Sequence, residues 1–472
     1  MSGKTRKAQA KAAQRHGRIR RIDAERHSLS VILNLIRSQS DYTRQDLEHV
    51  SGLGRAVVAD RLSTLSQLGL ADEDTLGRPT GGRAPRLVRF RADAGVLLVA
   101  ILDQESIGVG LADLSGTLLS EHHESADLSE GPELTLKRLF SLFEWVLEQH
   151  QPVGPVWGIG LAVSGPVEPE GRDNNAGARL HFLPNWNDYP LERRLIRQYG
   201  APVAIRTSTQ MRALGELRAG SGSGNSLLFV DVAQEVSAAI ISNGHLLRGA
   251  QGASGLIGHI PSGDDNQLVC RCGSTGCLET VAGVEAITRL ARKAAQTGDS
   301  RTLAEILTAA EAITPEDIGL AAVRGDPFSA KLLARCGRQV GTVLASLVNA
   351  INPPLIVLSG AVAMTGDIFL ASVREAIYSR AHPLVSRDLR IVRSQMGSSA
   401  ALAGAAFTIM DEIFEPVFLG GWITTGTPQH HPKIVALAAR DAGLRTASGG
   451  TAEARSSETK ERRARPATGR QR

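Results

Sequence analysis

The sequence predicts an α/β protein in two parts: an N-terminal winged helix-turn-helix, then a body of two lobes around a cleft. Three observations carry this. Near the start, two helical patterns flank the short turn Ser51-Gly52-Leu53-Gly54, and a hairpin rich in glycine and arginine follows. From residue 93 onward, apolar strand-like runs alternate with amphipathic helical runs, the pattern of a layered α/β fold. Aromatic residues make up only 4% of the 472 residues while alanine and glycine abound, which suits helices packed closely on a sheet. The apolar fraction of 42% supports sizeable cores, and the length allows about three domains.

Charge divides the chain further. The net charge is +5, yet it is uneven, with eight Lys or Arg residues before the first acid, Asp23. Residues 1–25 are therefore expected to form a basic, disordered arm able to track phosphates. A first folded unit is expected over 26–92. Leu29, Ile32, Leu33 and Ile36 recur at helical spacing. Thr43 can cap a second helix, with Asp46 three residues on as the acidic partner of a capping box. A third helix, Arg55 to Leu68, carries Val58, Leu62 and Leu65 on one face.

In a helix-turn-helix the second helix of the pair enters the major groove of double-stranded DNA. Here Arg55 suits guanine, Asp60 suits cytosine, and Ala56 and Ala59 suit thymine methyls, with Ser63 on the same side. Thr43 and Arg61 are placed for phosphates. The segment Gly77 to Arg86 then predicts a wing whose tip offers Arg78, Arg83 and Arg86 to a narrow minor groove. A helical hairpin used for protein contacts is the rival reading, and the wing favours DNA.

Strands are expected at Val96 to Leu102, Ile107 to Ala112, Val156 to Val163, Val203 to Arg206, Leu227 to Val232 and Leu355 to Leu358. Helices are expected at Glu133 to Gln149, Ala286 to Ala295 and Ser329 to Asn349. Within this body His259, Cys270, Cys272 and Cys277 have the ligand number and softness of a closed tetrahedral zinc site. Disulfides and a redox switch are the alternatives. No secretory signal or long apolar run precedes the cysteines, so a reducing cytoplasm and no membrane are expected. Gly273 and Gly276 let the loop turn tightly. Four protein ligands leave no open position, so the zinc is expected to be structural. Cys336 sits alone in a helical pattern, as a small buried apolar residue would.

Four phrases now recur in order: Asp113-Leu-Ser-Gly116, Gly158-Ile-Gly-Leu-Ala-Val-Ser-Gly-Pro-Val167, Gly255-Leu-Ile-Gly-His259 with its cysteine loop, and Leu347-Val-Asn-Ala-Ile-Asn-Pro353. Together they resemble the ROK family (repressor, open reading frame, kinase) over roughly residues 93–415. The resemblance implies an actin-like, sugar-kinase-like body that binds an effector and assembles as a homodimer or tetramer. A winged helix in front resembles the repressor branch.

The departures from the kinase pattern are specific. Where the kinases have Gly-Gly-Thr to cradle ATP phosphates, this chain has Asp103-Gln104-Glu105. The second glycine-rich loop is Ala233 to Ala239, without glycine. Ser208 stands where the kinases place the catalytic Asp, and a serine hydroxyl cannot take that proton unaided at neutral pH. No enzyme activity is expected. Of the family's sugar contacts, Asn185 and His259 are retained, while Leu256 replaces a Glu. Arg206, Thr207, Ser208 and Gln210 complete a candidate effector pocket, in which Arg206 suits a sugar phosphate.

The expected function is a DNA-binding repressor of carbohydrate genes that binds a palindromic operator and is relieved by a sugar or sugar phosphate. The alternatives are a sugar kinase and an effector-independent regulator or activator. Residues 416–472 are expected to form a basic, mostly disordered tail, with Gly420 to Gly426 as a loop or short strand.

Overall fold

The computed structural model describes residues 22–38, 42–77, 84–152, 154–168, 179–180, 185–186, 189–219, 224–262 and 267–439. The first unit is built from α1 (22–38), α2 (Arg44–Ser51), α3 (Arg55–Gln67) and a small sheet of β1 (Tyr42–Thr43), β2 (Ala71–Leu76) and β3 (Arg86–Phe90). Its strand order is β1-β3-β2, all antiparallel. Gly52 ends α2 in the left-handed region, at φ 66°, which lets the chain reverse into α3. Val58, Leu62 and Leu65 are buried, so α3 turns its expected apolar stripe inward.

The body holds two sheets of the same plan. The first contains β4 (Val96–Asp103), β5 (Ser106–Asp113), β6 (Leu118–Ser125), β7 (Val156–Val163) and β8 (Val203–Thr207), in the order β8-β7-β4-β5-β6. The second contains β9 (Leu227–Val232), β10 (Val236–Ser242), β11 (His245–Leu246), β12 (Leu355–Ser359) and β13 (Arg390–Arg393), in the order β11-β10-β9-β12-β13. Each sheet joins three parallel strands to an antiparallel hairpin arm. Both faces of β4 are covered, which is why its sequence is a continuous apolar run rather than an alternating one. α4 (Pro132–His150) and α6 (Pro327–Ile351) each bury one face in the core of a lobe.

Two helices lie between the lobes, α5 (Ser208–Arg218) and α7 (Ser399–Ile413). Their crossing is close because glycines form it. A Cβ on Gly404 would stand 1.7 Å from the Met211 carbonyl oxygen, and one on Gly215 would stand 2.0 Å from that of Ala400.

The C-terminal expectation needs correction. Residues 416–439 are folded: α8 (Pro416–Trp422), a short 3-10 turn at Pro428–His430 and a helix over 432–439. The Gly-Gly pair made this segment look like a loop. Its small size instead permits close packing, for a Cβ on Gly420 would press on Arg26 and one on Gly421 on His431. Trp422 is fully buried and donates its indole N–H to the Ile413 carbonyl at 3.0 Å. Phe90 of the first unit, Trp157 of the first lobe, Phe414 and Trp422 form one aromatic cluster. A single apolar core thus runs from Ile32 and Leu62 through Trp422 to Val99 and Ile409. The expected arm is also shorter than 1–25, because α1 already includes residues 22–25. The arm before residue 22 and the tail after 439 lie outside the described residues.

Candidate nucleic-acid interface, cleft and metal centre

The exposed side of α3 presents Arg55, Ala56, Asp60 and Ser63, with Ala59 half-buried beside them. Among the described residues, Arg55 and Ser63 have no side-chain partner. Asp60 pairs with its neighbour Arg61 at 2.5 Å. Arg61, expected at a phosphate, is instead engaged within the fold. Its side chain is only 13% exposed, and its Nε donates to Ser28 Oγ at 2.8 Å, pinning α3 to α1. Thr43 is likewise engaged. Its hydroxyl and backbone N–H both donate to Asp46, while the Asp46 N–H donates back to Thr43 Oγ1. Those two donors hold the Asp46 carboxyl below its usual range. Arg44, missed in the sequence, makes a bidentate contact with Glu73 at 2.8 and 2.6 Å, and so ties α2 to β2. Arg86 is exposed at the start of β3; Arg78 and Arg83 lie outside the described residues.

A cavity of about 220 Å³ opens between the lobes, where β4, β7, β9 and the start of α5 converge. Asp103, the end of β4, is its centre. Its Oδ1 accepts from Ser164 Oγ at 2.7 Å and Ser208 Oγ at 3.1 Å; its Oδ2 accepts from Arg212 at 3.2 Å. The other arm of Arg212 stands 3.7 Å from Asp231 on β9. One guanidinium is thus shared by carboxylates from both lobes. Burial and the like charge of Asp103 push the Asp231 carboxyl up, against the pull of Arg212. Sequence reasoning missed Arg212, although it lies one helical turn beyond Ser208 and therefore on the same face.

Of the expected effector residues only Ser208 lines this cavity. The Arg206 guanidinium turns away to Glu412 of α7 and to the Ile205 carbonyl. Thr207 caps α5 by accepting from the Gln210 N–H at 3.1 Å. Gln210 is buried and donates to the Gly252 carbonyl at 3.4 Å. Asn185 sits in an exposed turn beside the buried Trp186.

His259, Cys270, Cys272 and Cys277 come together, their ligand atoms all within 4.8 Å of one another, and could hold a metal ion. His259 Nδ1 is 3.5 Å from Cys270 Sγ, and Cys272 Sγ is 3.7 Å from Cys277 Sγ. Gly273 and Gly276 both have positive φ, 88° and 78°, so the loop turns back twice within four residues. The Ser274 backbone N–H lowers the Cys272 thiol to about 6, while burial pushes Cys277 up to about 12. Arg271, within the loop, pairs with Glu235 at 2.9 Å and Glu279 at 3.0 Å. The loop therefore braces the turn after β9 that lines the cleft. Cys336 is fully buried in α6, where burial raises its thiol to about 12.

The profile of the ROK family matches residues 104–412. The chain belongs to the ROK family. A putative xylose repressor from Caldicellulosiruptor sp. (strain Rt8B.4) is 27% identical over 390 residues, covering 81% of this chain and 95% of the relative. The DNA-binding transcriptional repressor Mlc of Escherichia coli (strain K12) is 26% identical over 383 residues, 79% and 91% of the two chains. A glucokinase from Halalkalibacterium halodurans is 29% identical over 265 residues, but covers 56% of this chain and 79% of itself. The crystal structure of a ROK family transcriptional regulator, a homologue of the E. coli MLC protein, shares the fold with a TM-score of 0.71. It is 24% identical and covers 86% of this chain and all of that one. The matches to the two repressors, over 390 and 383 residues, are longer than the ROK match over residues 104–412. No helix among the described residues is long and apolar enough to cross a membrane.

Proposed function

We propose that this chain is a DNA-binding transcriptional repressor whose grip on its operator is relieved by a sugar or sugar phosphate. The observation that carries this reading is the single apolar core joining a winged helix-turn-helix to the ROK body. Relatives named as repressors align over lengths that the ROK body alone does not supply. Arg55, Ala56, Ala59, Asp60 and Ser63 would read bases, and the wing arginines Arg78, Arg83 and Arg86 would enter the minor groove. A homodimer or tetramer of such chains would place two α3 helices on a palindrome.

The cleft serves as a sensor rather than as a kinase site. Ser208 offers no base, and Asp103 occupies Arg212 and two serines near the place where phosphates would need N–H donors. His259, Cys270, Cys272 and Cys277 hold a structural zinc. Support comes from their spacing: a tetrahedral zinc with thiolate ligands has edges of about 3.8 Å, close to the 3.7 Å between Cys272 and Cys277.

The test is fluorescence anisotropy on a duplex taken from upstream of the chain's own gene, titrated with D-xylose, D-glucose and glucose 6-phosphate. Specific binding that weakens with one sugar supports the reading. An affinity that no sugar moves makes the protein an effector-independent regulator. Turnover in a coupled phosphorylation assay sinks the sensor assignment.

A further inference from the structure

Two adjacent acids at the C-terminal end of α7 collect arginines from the first unit, the first lobe and α5. Asp411 meets Arg218, the last residue of α5, at 2.5 Å. It also meets Arg37, in the last turn of α1, at 3.6 Å. Glu412 pairs with Arg206, near the end of β8. Arg248 follows β11 in the second lobe, is half-buried, and has no ion pair or hydrogen bond from its side chain among the described residues. It is repelled by Arg206 and attracted by Glu412.

Exposed ion pairs contribute little, but two of these arginines are not exposed. Arg37 is 13% exposed and Arg206 16%. Arg37 lies over the Phe414 ring, 4.5 Å from its centroid, so it cannot swing into water without leaving that stack. Asp411 is the counter-charge that makes this burial tolerable.

We propose that Asp411 and Glu412 form the joint through which the interlobe cleft sets the orientation of the DNA-binding unit. The proposal rests on reading the cleft as a sensor. α5 begins at the cleft, where Ser208 and Arg212 line the cavity, and ends at Arg218 on Asp411. Any shift of α5 therefore changes how much of Asp411 remains for Arg37. The second lobe acts on the neighbouring acid. Its loop carries Arg248 and accepts a hydrogen bond from Gln210 of α5 through the Gly252 carbonyl. Movement of this loop would change the repulsion of Arg206 by Arg248, and with it the hold of Arg206 on Glu412. Asp411 thus holds two partners at once, Arg37 of the DNA-binding unit on Oδ1 and Arg218, at the end of the helix that starts at the cleft, on Oδ2.

The experiment uses the full chain with Glu412→Gln, Arg248→Ala, Asp411→Asn and, as control, Arg301→Ala in an exposed pair on the far lobe. Hydrogen–deuterium exchange of residues 22–38 is read first, then anisotropy on the promoter duplex with and without D-xylose, D-glucose and glucose 6-phosphate. Glu412→Gln and Arg248→Ala, neither in the DNA-binding unit, are expected to speed exchange in α1 by roughly 2- to 30-fold. Asp411→Asn is expected to do so and to weaken specific binding, with Asp411→Glu restoring both; the control moves neither. If Glu412→Gln and Arg248→Ala melt like wild type and leave α1 exchange unchanged, the joint does not exist. Should wild type bind no DNA specifically, the repressor reading fails while the exchange data still decide the joint. Should Asp411→Asn not fold, the two other variants carry the test.

Discussion

The exposed side of α3 and the interlobe cleft are both polar, but they dispose of their polar groups in opposite ways. On α3, Arg55 and Ser63 stand in solvent without partners among the described residues, ready to exchange water for another molecule. In the cleft, Asp103, Ser164, Ser208, Arg212 and Asp231 hold one another, with Arg212 Nε and Asp231 Oδ1 left buried and without a hydrogen-bond partner among the described residues. A ligand at α3 meets free donors in solvent, whereas one in the cleft meets a bonded network in which only Arg212 Nε and Asp231 Oδ1 remain to be satisfied. The first arrangement suits a fixed recognition surface; the second suits an element whose internal bonds change on binding.

Substitutions can break this contrast, and the largest effect is expected in the cleft. Arg212→Ala strands two carboxylates. Losing one partner of a buried pair costs up to about 5 kcal/mol, and partial exposure here reduces that to about 3. Calorimetry should show the melting temperature falling by several degrees. Unchanged melting would mean that the cleft charges are as solvated as those of α3. Arg55→Ala should do the reverse: specific DNA binding falls about tenfold or more in an anisotropy titration while melting stays put. Equal loss on random-sequence duplex would demote Arg55 to a phosphate contact. Thr43→Ala removes a capping box and should cost about 1 kcal/mol in denaturant unfolding.

The smallest effect is defined by its sign. Burial raises the Asp231 carboxyl above its unfolded value of 3.8, so the folded state binds a proton more readily than the unfolded state. That contribution is fully present below pH 3.8 and is lost as pH rises through the folded value. Asp231→Asn should therefore gain on wild type between pH 4 and pH 7. A gain in the other direction would show that Arg212 dominates over burial.

Much of this was legible in the sequence because it depends on neighbours along the chain. Val58, Leu62 and Leu65 declared the buried face of α3, and Thr43 with Asp46 declared the start of α2. The zinc-type loop was equally local, its three thiols lying within eight residues. What escaped depends on distant partners. Arg61 sits off the apolar stripe, and nothing local shows Ser28, 33 residues away, waiting for its Nε. Arg206 stands where a sugar contact belongs, yet Glu412 claims it from 206 residues away. Arg212 is the exception, since its one-turn spacing from Ser208 was there to be used. The segment after residue 415 was misjudged because two glycines imitate a loop until their packing partners, Arg26 and His431, are known.

The shared aromatic cluster also orders events in time. A chain emerges from its N-terminus, so the winged unit is made before the body. Phe414 and Trp422, which join its core to that of the first lobe, are made only after the strands of both lobes. Until they arrive, Phe90 and Trp157 lack the rings they pack against, and the unit that carries α3 lacks this hold on the body. A chain cut short before residue 414 would keep the whole of α3 yet lose the aromatic frame that fixes it to the body.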